Sequence, residues 1–263
     1  MRPVCLGLFL LCLLGVRSWA DDVPSRLRVC DDVAEYPPFA YYERDGDRKT
    51  GTIVGYAVDY LRGILAKSGR DAAIDLLPWR RCMELVRMGQ YELTLSAIRT
   101  AERDRDFLFT PPYFVLTPVL YAPKSVALAS VRTSADLERL KLCGRFGYAY
   151  TGYGVPESLV DRGAKTLEAA VGMLRAGRCD VFLGDAEVIA GESRLAGHPI
   201  FPDAEFTTRA PPDATAEPMS MMIGRALPQA EALLALLTDG IRDMKAAGAE
   251  QALSRRYLAP VSP

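Results

Sequence analysis

Hydrophobic positions along this chain alternate between two periods. Residues 27–31 read as a strand, followed by the Pro-rich turn Glu35-Tyr36-Pro37-Pro38-Phe39 and a polar, hairpin-like stretch through Asp45-Gly46. Val54, Val58, Leu61 and Leu65 then fall at i, i+4, i+7 and i+11, the stripe of an amphipathic helix, with Gly69 placed to end it. A strand over 73–77, a helix over 80–88 and a strand over 93–96 continue the alternation. Strands separated by single helices predict a mainly parallel sheet with helices on its faces, an α/β fold.

The pattern restarts near residue 140. Leu27-Arg28-Val29-Cys30 recurs as Leu140-Lys141-Leu142-Cys143, and the helix-to-strand phrase from Val86 to Leu95 recurs from Leu174 to Leu183. Any two helix-Gly-strand units share some likeness, but two lobes of similar build are the simplest reading. After residue 214 come a strand over 219–224, Pro228 at a helix start, a long helix carrying Leu233, Leu236, Leu237, Ile241 and Met244, and a last helix ending near Tyr257. This tail has no sheet of its own and is expected to pack back onto the first lobe. The expected division is 21–121 with 214–263 as the first lobe and 122–213 as the second, so the chain crosses between lobes twice.

Composition narrows the function. Of 263 residues, 49% are hydrophobic and 25% charged, which excludes disorder, and 32 basic against 33 acidic residues leave no basic surplus for nucleic acid. Arg2, the apolar run from Val4 to Val16 and Ser18-Trp19-Ala20 read as a cleavable export signal over residues 1–20. The run is too short to span a bilayer, and Cys12 lacks the small residues that precede a lipidated cysteine. No membrane insertion of the mature chain is expected. Four cysteines remain after cleavage, and in an exported chain they point to disulfides, with three pairings open. The single histidine, His198, lies beside Pro199, and no Cys-x-x-Cys spacing exists. A His-based triad, a metal site and a bound cofactor are therefore not expected.

Six short motifs, in order, resemble the first lobe of the family 3 extracellular solute-binding proteins. They are Tyr36-Pro-Pro-Phe39, Gly55-Tyr-Ala-Val-Asp59, Pro78-Trp79-Arg80, Gly89-Gln-Tyr-Glu92, Thr100-Ala-Glu-Arg103 and Phe109-Thr-Pro-Pro-Tyr113. Gly177-Arg-Cys-Asp180 with Gly184-Asp185 resembles the second lobe, and Met244 to Tyr257 the closing helices. The resemblance implies a two-lobed, type II periplasmic binding protein with a two-strand hinge. It implies a periplasmic protein, expected as a monomer, whose interlobe cleft holds an amino acid or a similar small zwitterion destined for an ABC-type importer. Pairing within lobes gives Cys30 with Cys82 and Cys143 with Cys179.

The resemblance also assigns the cleft. Read alone, Arg103 is a surface arginine among Glu102, Asp104, Arg105 and Asp106; in the family the arginine of this turn clamps the ligand's α-carboxylate, for which a planar guanidinium is suited. Ser96 and the backbone of Ile98 align with the strand end that adds hydrogen bonds, Ile98 offering only its N–H where relatives often carry a hydroxyl. Asp185 is the anion for an ammonium, or else an ordinary N-cap for the helix after it. Tyr36 matches a stacking aromatic, with Phe39 beneath it, and Trp79 lines the cleft or fills core. Tyr148 and Ala149, after Gly147, occupy the turn where second-lobe amides reach the ligand, in place of the usual small hydroxyl residues. The rival reading is an enzyme on the same fold, such as a cyclohexadienyl dehydratase. Its general acid would come from Glu35, Asp31 or Asp32, in a loop where acidic residues are usually solvated. A further alternative is a soluble, ligand-sensing partner of a receptor.

Overall fold

The computed structural model describes residues 23–258, so the export signal read at 1–20 lies outside the described residues. Two sheets organise the chain. The first has the order β4-β1-β5-β13-β6, with β7 also on β13. Its strands are β1 (Arg26–Asp32), β4 (Asp71–Leu77), β5 (Leu93–Ile98), β6 (Phe107–Phe109), β7 (Phe114–Leu116) and β13 (Glu217–Gly224). The second has the order β10-β9-β11-β8-β12, from β8 (Pro118–Pro123), β9 (Leu142–Arg145), β10 (Val160–Ala164), β11 (Val181–Asp185) and β12 (Phe206–Arg209). A separate hairpin, β2 (Tyr41–Asp45) and β3 (Arg48–Val54), occupies the polar stretch before the first helix.

The strands that alternate with helices pair in parallel: β1 with β4 and β5, and β9 with β10 and β11. Those nearest the crossings run antiparallel, β8 against β11 and β12, and β13 against β5, β6 and β7. Each sheet is consequently mixed rather than mainly parallel, because a strand arriving from the other sheet enters from the opposite end. The chain crosses at Thr117, between β7 and β8, and again between β12 and β13. A boundary at 121/122 would cut β8, all of which belongs to the second sheet.

Helix α1 (Tyr56–Ala66) buries Tyr56, Val58, Tyr60, Leu61, Ile64 and Leu65, the apolar stripe of the sequence. Val54 belongs to β3 instead, since the helix begins only after Gly55, whose φ of 137° brings it against the Phe39 carbonyl. Helices α1 and α6 (Ala230–Ala246) join β1, β5 and β13 in one core, with Leu27, Leu93, Ile223, Leu233 and Leu237 fully or almost fully buried. Helix α7 (Ala249–Tyr257) adds the buried Tyr257. Around the second sheet, the short α3 (Ser134–Leu137) precedes β9, and α4 (Leu167–Arg175) and α5 (Ala186–Ala196) cover β9 and β11.

Both within-lobe cysteine pairs are bonded. Cys30 of β1 joins Cys82 of α2 (Trp79–Arg87), and Cys143 of β9 joins Cys179 in the turn before β11. Cys179 is thus not itself in a strand. No group of histidine, cysteine and acidic residues able to hold a metal occurs among the described residues, and none of their helices is long and apolar enough to cross a membrane.

Candidate binding cleft

Strand ends of the first sheet and loops of the second face one another across a cleft of about 480 Å³, counting space open to solvent. All eight positions singled out from the sequence line it: Tyr36, Trp79, Ser96, Ile98, Arg103, Tyr148, Ala149 and Asp185. Asp31, Asp32, Leu116, Gly147 and Glu217 line it as well.

The aromatic walls come from both sides. Tyr36, at the end of the turn after β1, packs on the buried Phe39 at 5.4 Å and meets Tyr148 edge-on at 5.5 Å between centroids. Tyr148 is backed by Arg145, whose guanidinium lies 4.7 Å from the ring centroid and pairs with Glu192 at 3.0 Å. Trp79 opens α2 with its ring in the cleft. Gly147, at φ 86°, takes the left-handed backbone conformation that turns residues 147–149 toward that ring.

Arg103 stands in a 3₁₀ turn after β5. Its Nη1 donates to the Ile98 carbonyl at 2.7 Å, and its guanidinium lies 5.5 Å from the Trp79 ring centroid. No ion pair is made by Arg103 among the described residues, and burial lowers its pKa from the ordinary value while leaving it charged. A cation oriented by a carbonyl and an indole, with its charge uncompensated, is a receptor for an anion. Nearby, Trp79 Nε1 and Ser96 Oγ are buried without hydrogen-bond partners, so the same wall offers two unused polar groups.

The opposite charge is concentrated in four carboxyls. Asp31 is the penultimate residue of β1 and is only 2% exposed, not solvated as expected of an acidic residue there. Its Oδ1 accepts the Asp32 N–H at 2.8 Å, while Oδ2 has no partner, Ser96 lying close without hydrogen-bond geometry. Burial pushes Asp31 up to about 7 and raises Asp32 as well. Asp185 occupies the N-cap position of α5, yet its side chain makes no capping bond and instead accepts the Tyr153 hydroxyl at 3.1 Å. Glu217 accepts the Gly152 N–H at 2.9 Å. The Asp185 and Glu217 carboxyls are within hydrogen-bonding reach of each other. Burial, with their mutual repulsion, raises Asp185 well above the carboxylate range and burial takes Glu217 to about 6.

Glu35, a candidate acid for an enzyme, is not in the cleft. It is buried behind Tyr36, where its carboxylate accepts the Tyr42 N–H at 3.0 Å and a two-pronged contact from Arg44 at 2.9 and 3.0 Å, with Lys49 also paired to it. That network ties the β2–β3 hairpin to the turn after β1 and leaves Glu35 no free oxygen for chemistry.

Glu217 had no motif to announce it. The available signal was an acidic residue heading an otherwise apolar strand, Glu-Pro-Met-Ser-Met-Met-Ile, where a charge needs a reason.

A model of the bacterial extracellular solute-binding proteins, family 3, matches residues 27–260. An arginine-binding periplasmic protein of Mannheimia haemolytica is 24% identical over 162 residues, 60% of this chain and 63% of that relative, so the match spans somewhat under two thirds of the relative's length. A probable histidine-binding protein of Neisseria gonorrhoeae is 24% identical over 86% of this chain and 81% of its own length. Among solved structures, an ancestral arginine-binding protein bound to arginine superposes with a TM-score of 0.69 at 18% identity, covering 89% of this chain and 98% of that one. This last likeness shows the fold, that of the type II periplasmic binding proteins, while the family match over nearly the whole chain shows descent. The chain belongs to the family 3 bacterial extracellular solute-binding proteins.

Proposed function

We propose that this protein captures a small amino acid of cationic character in the cleft between its two sheets, in the periplasm, and presents it to an ABC-type importer. The observation that carries the reading is the set of ionisable groups lining the cleft: one guanidinium, Arg103, against four carboxyls, Asp31, Asp32, Asp185 and Glu217, whose ionisation burial opposes and a bound cation would favour. One fixed cation suits one ligand carboxylate, and an excess of carboxyls favours a partner bearing an ammonium and further positive charge. Names of the relatives that bind arginine and histidine support the same class. Binding would stabilise the form in which Tyr36 and Tyr148 meet, by contacts made only when both sheets reach the ligand. A thermal-shift screen tests this. Arginine, lysine and histidine are expected to raise the melting temperature, and glutamate and aspartate to leave it unchanged; stabilisation by the acidic amino acids alone would overturn the reading.

One observation favours an enzyme instead: Asp31, facing the cleft with a free Oδ2 and held protonated up to about pH 7, has the state of a general acid. Conversion of a bound solute to product by the intact protein, lost in Asp31→Asn, would establish that alternative.

A further inference from the structure

Two carboxyls are brought together at the crossing between the sheets. Asp185 ends β11 and pairs in register with Pro118; Glu217 begins β13 and pairs with Leu116. The residue between those partners, Thr117, is the crossing point itself, and its carbonyl accepts the Ala186 N–H at 2.9 Å. Register thus places one carboxyl from each sheet on either side of a single residue. Both are more than nine-tenths buried, both line the cleft, and neither has an ion pair among the described residues. Their remaining polar contacts are donors aimed at one oxygen each, the Tyr153 hydroxyl to Asp185 and the Gly152 N–H to Glu217. Gly152 is needed for this, since a Cβ would lie 2.3 Å from Glu217 Cγ. Asp31, with Oδ2 buried and unpartnered on the same cleft, shows independently that this cavity holds a carboxyl whose hydrogen bonding is incomplete.

We propose that Glu217 is a specificity-determining residue which, with Asp185, forms one two-carboxyl receptor for the ligand's primary ammonium, and that the ammonium displaces a proton shared by the pair. A primary ammonium has three N–H donors and reaches both carboxylates at once; a secondary one has two. The exchange balances: one R–NH₃⁺ enters, one H⁺ leaves to solvent, and the net charge of the pair with its cation is unchanged at minus one. Two carboxyls in contact do not both ionise without a cation between them, because burial and mutual repulsion each oppose the second charge.

Among the described residues, the surroundings do not supply that cation. Glu187 of α5 and Glu157 of the turn after Pro156 add negative charge, and the hydroxyls of Tyr36, Tyr121, Tyr148, Tyr150 and Tyr153 stay protonated. Arg103 lies on the same cleft without pairing to either carboxyl, and Arg145 is engaged with Glu192 and the face of Tyr148. Protonation of the pair therefore competes with ligand, and affinity for an amino acid falls as pH is lowered, approaching tenfold per unit once the pair is mostly protonated.

The inference rests on the amino-acid reading of the cleft, and calorimetry with L-arginine separates the two. At pH 5.5, titrations in two buffers of different ionisation enthalpy are expected to show close to one proton released per ligand, declining toward zero by pH 8. Glu217→Gln keeps the oxygen that accepts the Gly152 N–H; it is expected to abolish most of the release and to weaken arginine by tenfold or more at pH 8 with the fold intact by circular dichroism. Arginine bound with no proton release at pH 5.5, or with Glu217→Gln unchanged in affinity, overturns the shared-proton receptor and leaves the amino-acid reading standing. Absence of binding by any amino acid overturns the amino-acid reading. The pair itself is then decided in the free protein by NMR of the carboxyl carbons: two well-separated steps support it, and two independent titrations near pH 4 overturn it.

Discussion

Arg103 shows what one residue contributes when its surroundings are left deliberately incomplete. Its guanidinium is oriented by the Ile98 carbonyl and the Trp79 ring, and no carboxylate pairs with it among the described residues. Replacing it with alanine is expected to weaken arginine binding by roughly 2 to 5 kcal/mol, the scale for truncating one partner of a buried charge pair. Affinity measured by calorimetry checks this, and an unchanged value would remove Arg103 from the site. At this scale the sequence was informative where a residue sits in a motif: Arg103 in its Thr-x-x-Arg turn and Asp185 after the glycine of a strand end. It was silent on Glu217, whose partner lies 32 positions earlier in the chain and is reached only through strand register. It misplaced Glu35 for a related reason. Proximity in sequence to Tyr36 says nothing about which side of the turn a side chain takes, and the hairpin cations Arg44 and Lys49 claim it.

Among the elements, α5 carries one of the contacts between the two halves. Val188, Gly191 and Arg194 recur at i, i+3 and i+6 on one face. Val188 joins the apolar core of the first sheet, and Arg194 donates to the Tyr257 carbonyl at 2.8 Å. Gly191 lies so close to the Pro37–Pro38 turn that a Cβ would sit 2.6 Å from backbone atoms of Pro37. Gly191→Ala is expected to cost about 1–3 kcal/mol of stability, as overpacking does in a tight contact, and to weaken ligand binding without touching the ligand. Denaturant unfolding and calorimetry on the variant measure both; wild-type values for the two would show that α5 has room to spare. Helices and strands were themselves largely legible, because 3.6- and 2-residue periods report burial directly. The stripe on α5 was not, since a glycine at its centre has no hydrophobic side chain to mark the buried face.

On the scale of the molecule, the buried carboxyls link stability to pH. Asp31 is raised to about 7 and Glu217 to about 6, with Asp185 raised as well, so the folded protein holds more protons than the unfolded chain between about pH 4 and pH 7. Their contribution is complete below the unfolded carboxylate range and is lost as pH rises through the folded values. For Asp31 alone this is about 4 kcal/mol. The ligand-free protein is therefore expected to melt higher at pH 5 than at pH 7.5, and a bound cation to narrow the difference; a free protein that melts lower at pH 5 would refute the linkage. By itself the sequence determined the α/β alternation and the two repeated openings, because each is carried by local periodicity; it left three cysteine pairings open, and the set of residues that share one cleft came with the resemblance its short motifs carry. Only the tertiary structure decided that the sheets are mixed, that Glu35 is tied down, and that Asp185 and Glu217 meet beside Thr117. Those outcomes depend on which strands become neighbours across the crossings, and strand neighbours are chosen by packing over the whole chain rather than by any local run of residues.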